Sequence, residues 1–310
     1  MATNVFANIT ARGTKGKFLE RLQSIDPIWR GLVTEIPSDA PDERHVWIGM
    51  LPNPREFISG RSFVGISDFT YTVANETYEL TSKVDRTSME DDRHGFVDQV
   101  IRTMADVWAI FKEVQMAALF NNGGTSGNNS FDGVTFFNDT HTIGASTSDN
   151  NLASTAPGDA EALTVAEMKT VLRSLKLALQ GFQDDTGREA YNWAALSNTA
   201  VMGNQQFEQV LTEVINSTLT GGGDSNPFFN QFANLIVNPY LGVTNDFLYL
   251  MALGDTERMP FIYQERTPLE IEVMNDRTDI AEHDGMIIMA RQRYRLAYGE
   301  PRRIVKIALT

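Results

Sequence analysis

The chain has 310 residues, 42% apolar and 21% charged, which are the proportions of a folded chain with a sizeable core rather than a disordered one. A net charge of −14 excludes non-specific nucleic-acid binding over the whole surface, and the lack of cysteine excludes disulfides, thiolate metal sites and thiol nucleophiles. No apolar run approaches the ~18 residues of a membrane span, and the first residues lack a signal-peptide core, so the expectation is a cytosol-like compartment and no membrane.

Residues 1–43 hold one short amphipathic piece (Phe18, Leu19, Leu22, Ile25) and then Pro27, Pro37 and Pro41. This reads as an arm that lies on a neighbour. Residues 44–85 change character. Val46, Trp47 and Ile48 suggest a strand, and Pro52, Asn53 and Pro54 a turn. Phe69, Tyr71 and Val73 then alternate, followed by Tyr78 and Leu80 after a turn at Ala74 and Asn75. Two antiparallel ribbons fit this pattern, and so small an excursion needs a surface to pack on.

The longest helical signal spans 93–122. Apolar residues recur at Phe96, Val100, Met104, Val107, Phe111, Val114 and Ala118, with Val97, Ile101, Trp108 and Leu119 beside them. The spacing predicts a helix of roughly 40 Å that buries this stripe along its length. Thr87 and Ser88 ahead of Glu90 and Asp91 suggest a capping box, and Gly123 and Gly124 a stop. Residues 144–160 read as an exposed loop. Thr164 and Glu167 open a second helix with Met168, Val171, Leu172, Leu175 and Leu179 on one face. A third is expected over about 204–219. The last third is strand-like: 234–237, 247–253, 260–263, 270–273, 286–296 and 303–309. Helices and strands mix without a βαβ rhythm, so the fold class is α+β.

Catalytic signals are sparse. His45, His94, His141 and His283 show no metal-ligand spacing. Asp139 with His141, and His283 with Asp284, are the acid–base pairs the sequence offers, without a nucleophile elbow beside them. The glycine-rich stretches lack the lysine and hydroxyl of a phosphate loop. Asp91–Asp92 and Asp184–Asp185 match no calcium loop. The basic residues gather late, at Arg291, Arg293, Arg295, Arg302 and Arg303. The first three share one strand face, with Gln292, Tyr294 and Leu296 on the other. That face either pairs with the abundant acids, within or between subunits, or meets a polyanion such as packaged DNA.

Three stretches, in this order, carry a resemblance: YTVANETYELTSKVDRTSMEDDRHG, FDGVTFFNDTHT, and FIYQERTPLEIEV followed by MARQRYRLAYGEPRRIVKI. They span about 60–310 and are similar to the major capsid proteins of tailed bacteriophages, the Hong Kong 97-type fold, and within them to the Mu-like major head subunit (T protein) family. The resemblance implies a non-enzymatic shell subunit without cofactors, located in the virion and assembled in the host bacterial cytoplasm. It implies an N-terminal arm (1–43) and an extended β loop (44–85) that reach onto neighbours. A peripheral domain (86–160, with the spine helix at 93–122) is completed by closing strands (271–310), beside an axial domain (161–270). The implied partners are the chain itself in hexamers and pentamers, a portal, a scaffold or protease, a decoration protein, and double-stranded DNA bound without sequence specificity. Some relatives cross-link a lysine of the extended loop; here no lysine occurs between Arg44 and Ser82, so a non-covalent shell is expected. The alternatives are an encapsulin-like shell around cargo, a His283/Asp284 hydrolase, and a tail-tube protein, which the long helix disfavours.

Overall fold

The computed structural model describes residues 11–48, 68–91, 95–142, 150–156, 163–183, 189–190, 196, 198–219, 225–242, 246–274 and 283–309. His94, the turn at Pro52–Pro54, Asp184–Asp185 and most of the loop read at 144–160 lie outside them.

Among the described residues the strands form three sheets. The first is four-stranded, in the order β1 (Val33–Pro37), β9 (Phe261–Met274), β10 (Gly285–Tyr298), β4 (Glu76–Asp85). β10 is antiparallel to both β9 and β4, while β1 runs parallel to β9. The second is five-stranded, in the order β5 (Leu152–Ala156), β11 (Ile304–Leu309), β8 (Phe247–Ala252), β6 (Thr199–Gly203), β7 (Asn234–Val237). The third is the antiparallel ribbon of β2 (Asp42–Ile48) and β3 (Asp68–Ala74).

Helix α3 (Phe96–Asn122) links the layers. Its N-terminal half buries Val97, Ile101, Met104, Ala105 and Trp108 with Val84, Ile271, Met286, Ile288 and Ala290 of the four-stranded sheet. Its C-terminal half turns Met116, Ala117 and Phe120 into a second core with Phe136, Tyr249, Phe261 and Tyr298. Period-two alternation puts Ala200, Met202, Tyr249, Met251 and Ile304 of the five-stranded sheet on that side. Val201, Leu248, Leu250, Val305 and Ile307 face the other way, under α4 (Val165–Gln180) and α5 (Glu208–Asn216). The capping box at Thr164 and Glu167 is formed in full.

Several expectations change. The broad stripe read from the sequence of α3 is split: Val97, Ile101, Met104 and Trp108 are buried, whereas Phe96, Val107, Phe111 and Val114 stay 38–49% exposed. The reason is that the sheet and α1 (Ala11–Gln23) grip adjacent flanks of the helix and leave this third side outward. Thr87 and Ser88 do not cap α3. They belong to a separate turn, α2 (Arg86–Glu90), and α3 starts after Gly95 in the left-handed conformation, φ 70.

Residues 11–37, read as an arm, pack in the isolated chain on its own body. Phe18 is fully buried against α3, which contributes about 2 kcal/mol. Trp29, Leu32 and Val33 enter the core, and β1 pairs with β9. Tyr78 and Leu80 do not complete a hairpin with Phe69–Val73. β4 leaves the ribbon at Asn75 and pairs with β10 instead. The two strands read at 260–263 and 270–273 are one, β9, which carries a bulge opposite Arg291 and Arg293. β11 crosses to the five-stranded sheet rather than closing beside β10.

Candidate assembly surfaces and the joints behind them

β10 alternates as its sequence predicts, with Gln292, Tyr294 and Leu296 buried and Arg291, Arg293 and Arg295 outward. The register then supplies acids. Arg291 stands between Glu79 of β4 and Glu270 of β9, and Arg293 between Thr77 and Thr267. Arg295 forms an ion pair with Glu76. Arg302 and Arg303 are not part of this face. They sit in the turn after β10, where Arg302 grips buried Glu300 (2.8 Å) and Arg303 holds Asp255 (2.9 Å). Burial alone pushes the Glu300 carboxyl up, but the charge and hydrogen bonds of Arg302, helped by Arg303, outweigh it and hold the group below its ordinary value. The five arginines therefore divide into a strand face, with acids set against Arg291 and Arg295 but threonines beside Arg293, and a structural pair in the closing turn.

The ribbon is tied to the sheet through one buried amide. Gln264, fully buried on β9, donates through Nε2 to the Val73 carbonyl (3.1 Å) and to Asn75 Oδ1 (2.8 Å), and its Oε1 lies 2.8 Å from His45 Nε2. Asn75 in turn donates to Ser38 Oγ (2.8 Å) and the Ala40 carbonyl (2.9 Å). Glu43 accepts from Asp39 N–H (2.7 Å), Ser38 Oγ (2.9 Å) and Ala40 N–H (3.0 Å), and those bonds hold its carboxyl below the usual range. The joint combines neutral amide hydrogen bonds at Gln264 and Asn75 with the three bonds accepted by the Glu43 carboxylate, and together they fix the angle at which the ribbon leaves the body.

The segment after α3 is a second joint. His141 pairs with Asp132 at 2.6 Å, both side chains buried, and not with the exposed Asp139 suggested by sequence proximity. Its Nε2 faces the Phe136 carbonyl at 3.1 Å, so both ring nitrogens are engaged and neither is turned toward a substrate. Asn151, fully buried, accepts from Asn138 N–H (2.8 Å) and donates to the carbonyls of Phe136 (2.6 Å) and Pro301 (3.1 Å). This fastens the aromatic loop to the chain's closing turn. The other sequence-suggested pair, His283 and Asp284, lies at the entry of β10. There Asp284 takes φ 48 and its carbonyl accepts the Arg86 N–H.

Two lysines sit in aromatic boxes. Lys112 Nζ lies 4.9–5.2 Å from the ring centres of Trp29, Tyr263 and Tyr294, and Lys306 Nζ lies 3.6 Å from that of Phe247 and 5.1 Å from that of Phe137. Burial pulls both amines down to about 8, at Lys112 against the opposing pull of Glu265. No sequence spacing announced these boxes, because their walls come from distant strands. Among the described residues no group of three or more His, Asp or Glu is placed to hold a metal, and no helix is long and apolar enough to cross a membrane.

A family model described as Mu-like prophage major head subunit gpT matches residues 8–176. The chain is 25% identical over 108 residues to the major capsid protein of Escherichia phage Mu, an alignment covering 35% of this chain and 35% of that one. Its fold is similar to the capsid structure of cyanophage P-SCSP1u (TM-score 0.58, 11% identity, 92% of this chain and 88% of that chain). It is also similar to a virus-like particle from Pyrococcus furiosus (TM-score 0.54, 8% identity, 95% and 97%). At these identities the structural likenesses establish a shared α+β capsid fold, and the Mu alignment spans about a third of that relative's length.

Proposed function

The chain belongs to the Mu-like prophage major head subunit gpT family, and from that premise we propose that it is a structural, self-assembling major head subunit that builds the icosahedral shell around phage DNA. The observation that carries this reading is the family match itself. It runs from before α1 through the ribbon, α3 and the aromatic loop into α4, so it covers the parts that would touch neighbours as well as the core.

In this reading residues 1–43 and 44–85 are the arm and the extended loop. The four-stranded sheet with α3 is the peripheral domain, and the five-stranded sheet with α4 and α5 is the axial domain around hexamer and pentamer centres. Ring and shell formation asks for no reaction, only for surfaces held at fixed angles. The Gln264 and Asn151 joints supply that fixity. The portal, a scaffold or protease, a decoration protein and packaged DNA are the partners of such a subunit, and the virion is its place. Arg291 and Arg295 of β10, set against Glu79, Glu270 and Glu76, serve subunit contacts rather than DNA in this reading.

The test is negative-stain microscopy and sedimentation of the chain, expressed alone and with a scaffold of its family. Closed shells, or hexamers and pentamers, are the expected products. A folded chain that forms neither ring nor shell in both settings overturns the reading. One second reading is an encapsulin-like shell around cargo, since the fold shared with the Pyrococcus furiosus virus-like particle fits a closed shell of either content. Nuclease-protected DNA in purified particles decides for the phage head, and co-purified protein cargo decides against it.

A further inference from the structure

Where residues 22–30 cross α3 they enclose a cavity of about 480 Å³. Leu22, Asp26, Trp29 and Arg30 line it from one side, and Trp108 and Lys112 of α3 from the other. Its polar groups are short of partners. Among the described residues Lys112 has no carboxylate within ion-pair distance, and its nearest polar neighbour is the Tyr263 hydroxyl at 3.3 Å. Arg30 pairs through Nε with the exposed Glu35 (3.1 Å), a contact that water screens. Trp108 is 3% exposed, and its indole N–H meets no acceptor. A buried donor left in that state calls for an explanation. Asp26 is the one acid in the described walls, against two cations. The larger cleft beside β7, about 550 Å³, has no charged residue in its described walls and offers nothing that recognises an ion.

We propose that this cavity binds a small planar anion, an aromatic carboxylate, with its ring against the indoles of Trp29 and Trp108 and its charge on Lys112 and Arg30. The volume lies within the ~300–1,000 Å³ of small-molecule sites, which combine aromatic walls with a few convergent polar groups. The carboxylate supplies what this part of the chain lacks, a counter-charge for Lys112 and an acceptor for the Trp108 N–H. An ammonium–carboxylate bond is charge-assisted, and in a partly enclosed site salt screens it less than at an open surface. Tyr263 and Glu265 of β9, Tyr294 of β10, Glu35 of β1 and Arg30 are the groups that face Lys112. Burial, together with Arg30, outweighs the pull of Glu265 and Glu35, so the amine keeps its proton only up to about 8. An anion beside it holds the proton on to higher pH. The bound acid touches residues 22–30 and α3 at once, and so ties α1 and its linker to the body. None of this rests on the shell reading.

Titration calorimetry of the full chain with cinnamate, cinnamyl alcohol and cinnamylammonium tests the site with one ring and three charges. At neutral pH cinnamate binds at least about tenfold more tightly than the alcohol, and the ammonium does not bind. Lys112→Met weakens cinnamate by at least about tenfold and leaves the alcohol unchanged. Arg30→Gln weakens it less, because Glu35 and water already share that charge. In the parent chain the affinity for cinnamate falls as the pH is raised above about 8, and in Lys112→Met it is flat over the same range. A parent chain that takes up no cinnamate at millimolar concentration overturns the proposal. So does one that binds the acid and the alcohol equally, since the cavity is then an apolar gap without ion recognition. A Lys112→Met chain that is folded by circular dichroism and binds cinnamate as the parent does also overturns it.

Discussion

Asn151→Ala tests whether the joint behind the aromatic loop holds the two layers together. The side chain is fully buried and makes three hydrogen bonds, to Asn138 N–H, the Phe136 carbonyl and the Pro301 carbonyl. Truncation does not orphan all three partners. The Phe136 carbonyl keeps His141 Nε2 at 3.1 Å. The Pro301 carbonyl keeps the Ile304 N–H, so the Asn138 N–H is the one group stranded, at a cost of about 1–3 kcal/mol. The expected loss is thus about 1–3 kcal/mol, a sizeable share of the ~5–15 kcal/mol typical of a folded domain. Asn151→Asp is expected to be worse at neutral pH, since it keeps the acceptor for Asn138 but turns a buried carboxylate toward two carbonyl oxygens. Urea unfolding followed by circular dichroism measures both. A loss under ~1 kcal/mol for Asn151→Ala refutes the reasoning, because it means that water or a shifted backbone satisfies that group at no cost.

Stability should depend on pH in a two-sided way. Burial holds the folded-state amines of Lys112 and Lys306 at about 8 against 10.5 in the unfolded chain, so between these values the unfolded state binds more protons and stability rises with pH. Above about pH 10 it falls again, since burial raises Tyr263, Tyr294 and Tyr298 and they ionise first in the unfolded chain. Urea midpoints across this range show the maximum, and Lys112→Met with Lys306→Met removes the rising limb; a flat profile in the parent chain contradicts the burial argument. Gln264→Ala cuts the ribbon's tie, so hydrogen exchange at β2 and β3 amides accelerates by at least about tenfold, equivalent to ~1.4 kcal/mol. Unchanged exchange there means the ribbon is held by something other than this amide. Mature particles, boiled and run in SDS, give a single band of monomer size, since 44–82 offers no lysine for a cross-link; a heat-stable ladder sinks the non-covalent reading.

What the sequence disclosed follows from where the signal is local. The 27 residues of α3 contain neither proline nor internal glycine, and the capping box at Thr164 and Glu167 is a four-residue event. β10 shows clean alternation because one of its faces is buried and the other is not. β6 was invisible for the opposite reason. It is buried on both faces, is only five residues long, and ends in Gly203, where a Cβ would come within 2.7 Å of Leu248. β1 and β5 are parallel edge strands whose pairing partners lie far along the chain, so no hairpin turn announces them. The Asp132–His141 pair was missed in favour of Asp139 because proximity in sequence is a poor guide inside a loop that folds back on itself.

The stripe on α3 carries the more general lesson. Period 3.6 identified a broad face of the helix that water should not cover, and the single chain leaves one flank of that face in water. Both statements hold if the hydrophobic pattern records burial in the working assembly rather than in the monomer. A helix in one subunit has two such faces when it has two partners: here Val97, Ile101, Met104 and Trp108 serve its own sheet, while Phe96, Val107 and Val114 stay exposed. Sequence periodicity cannot say which stripe belongs to which partner, since both lower the same free energy by the same mechanism. Only the fold separates them, by showing which one the chain has already used.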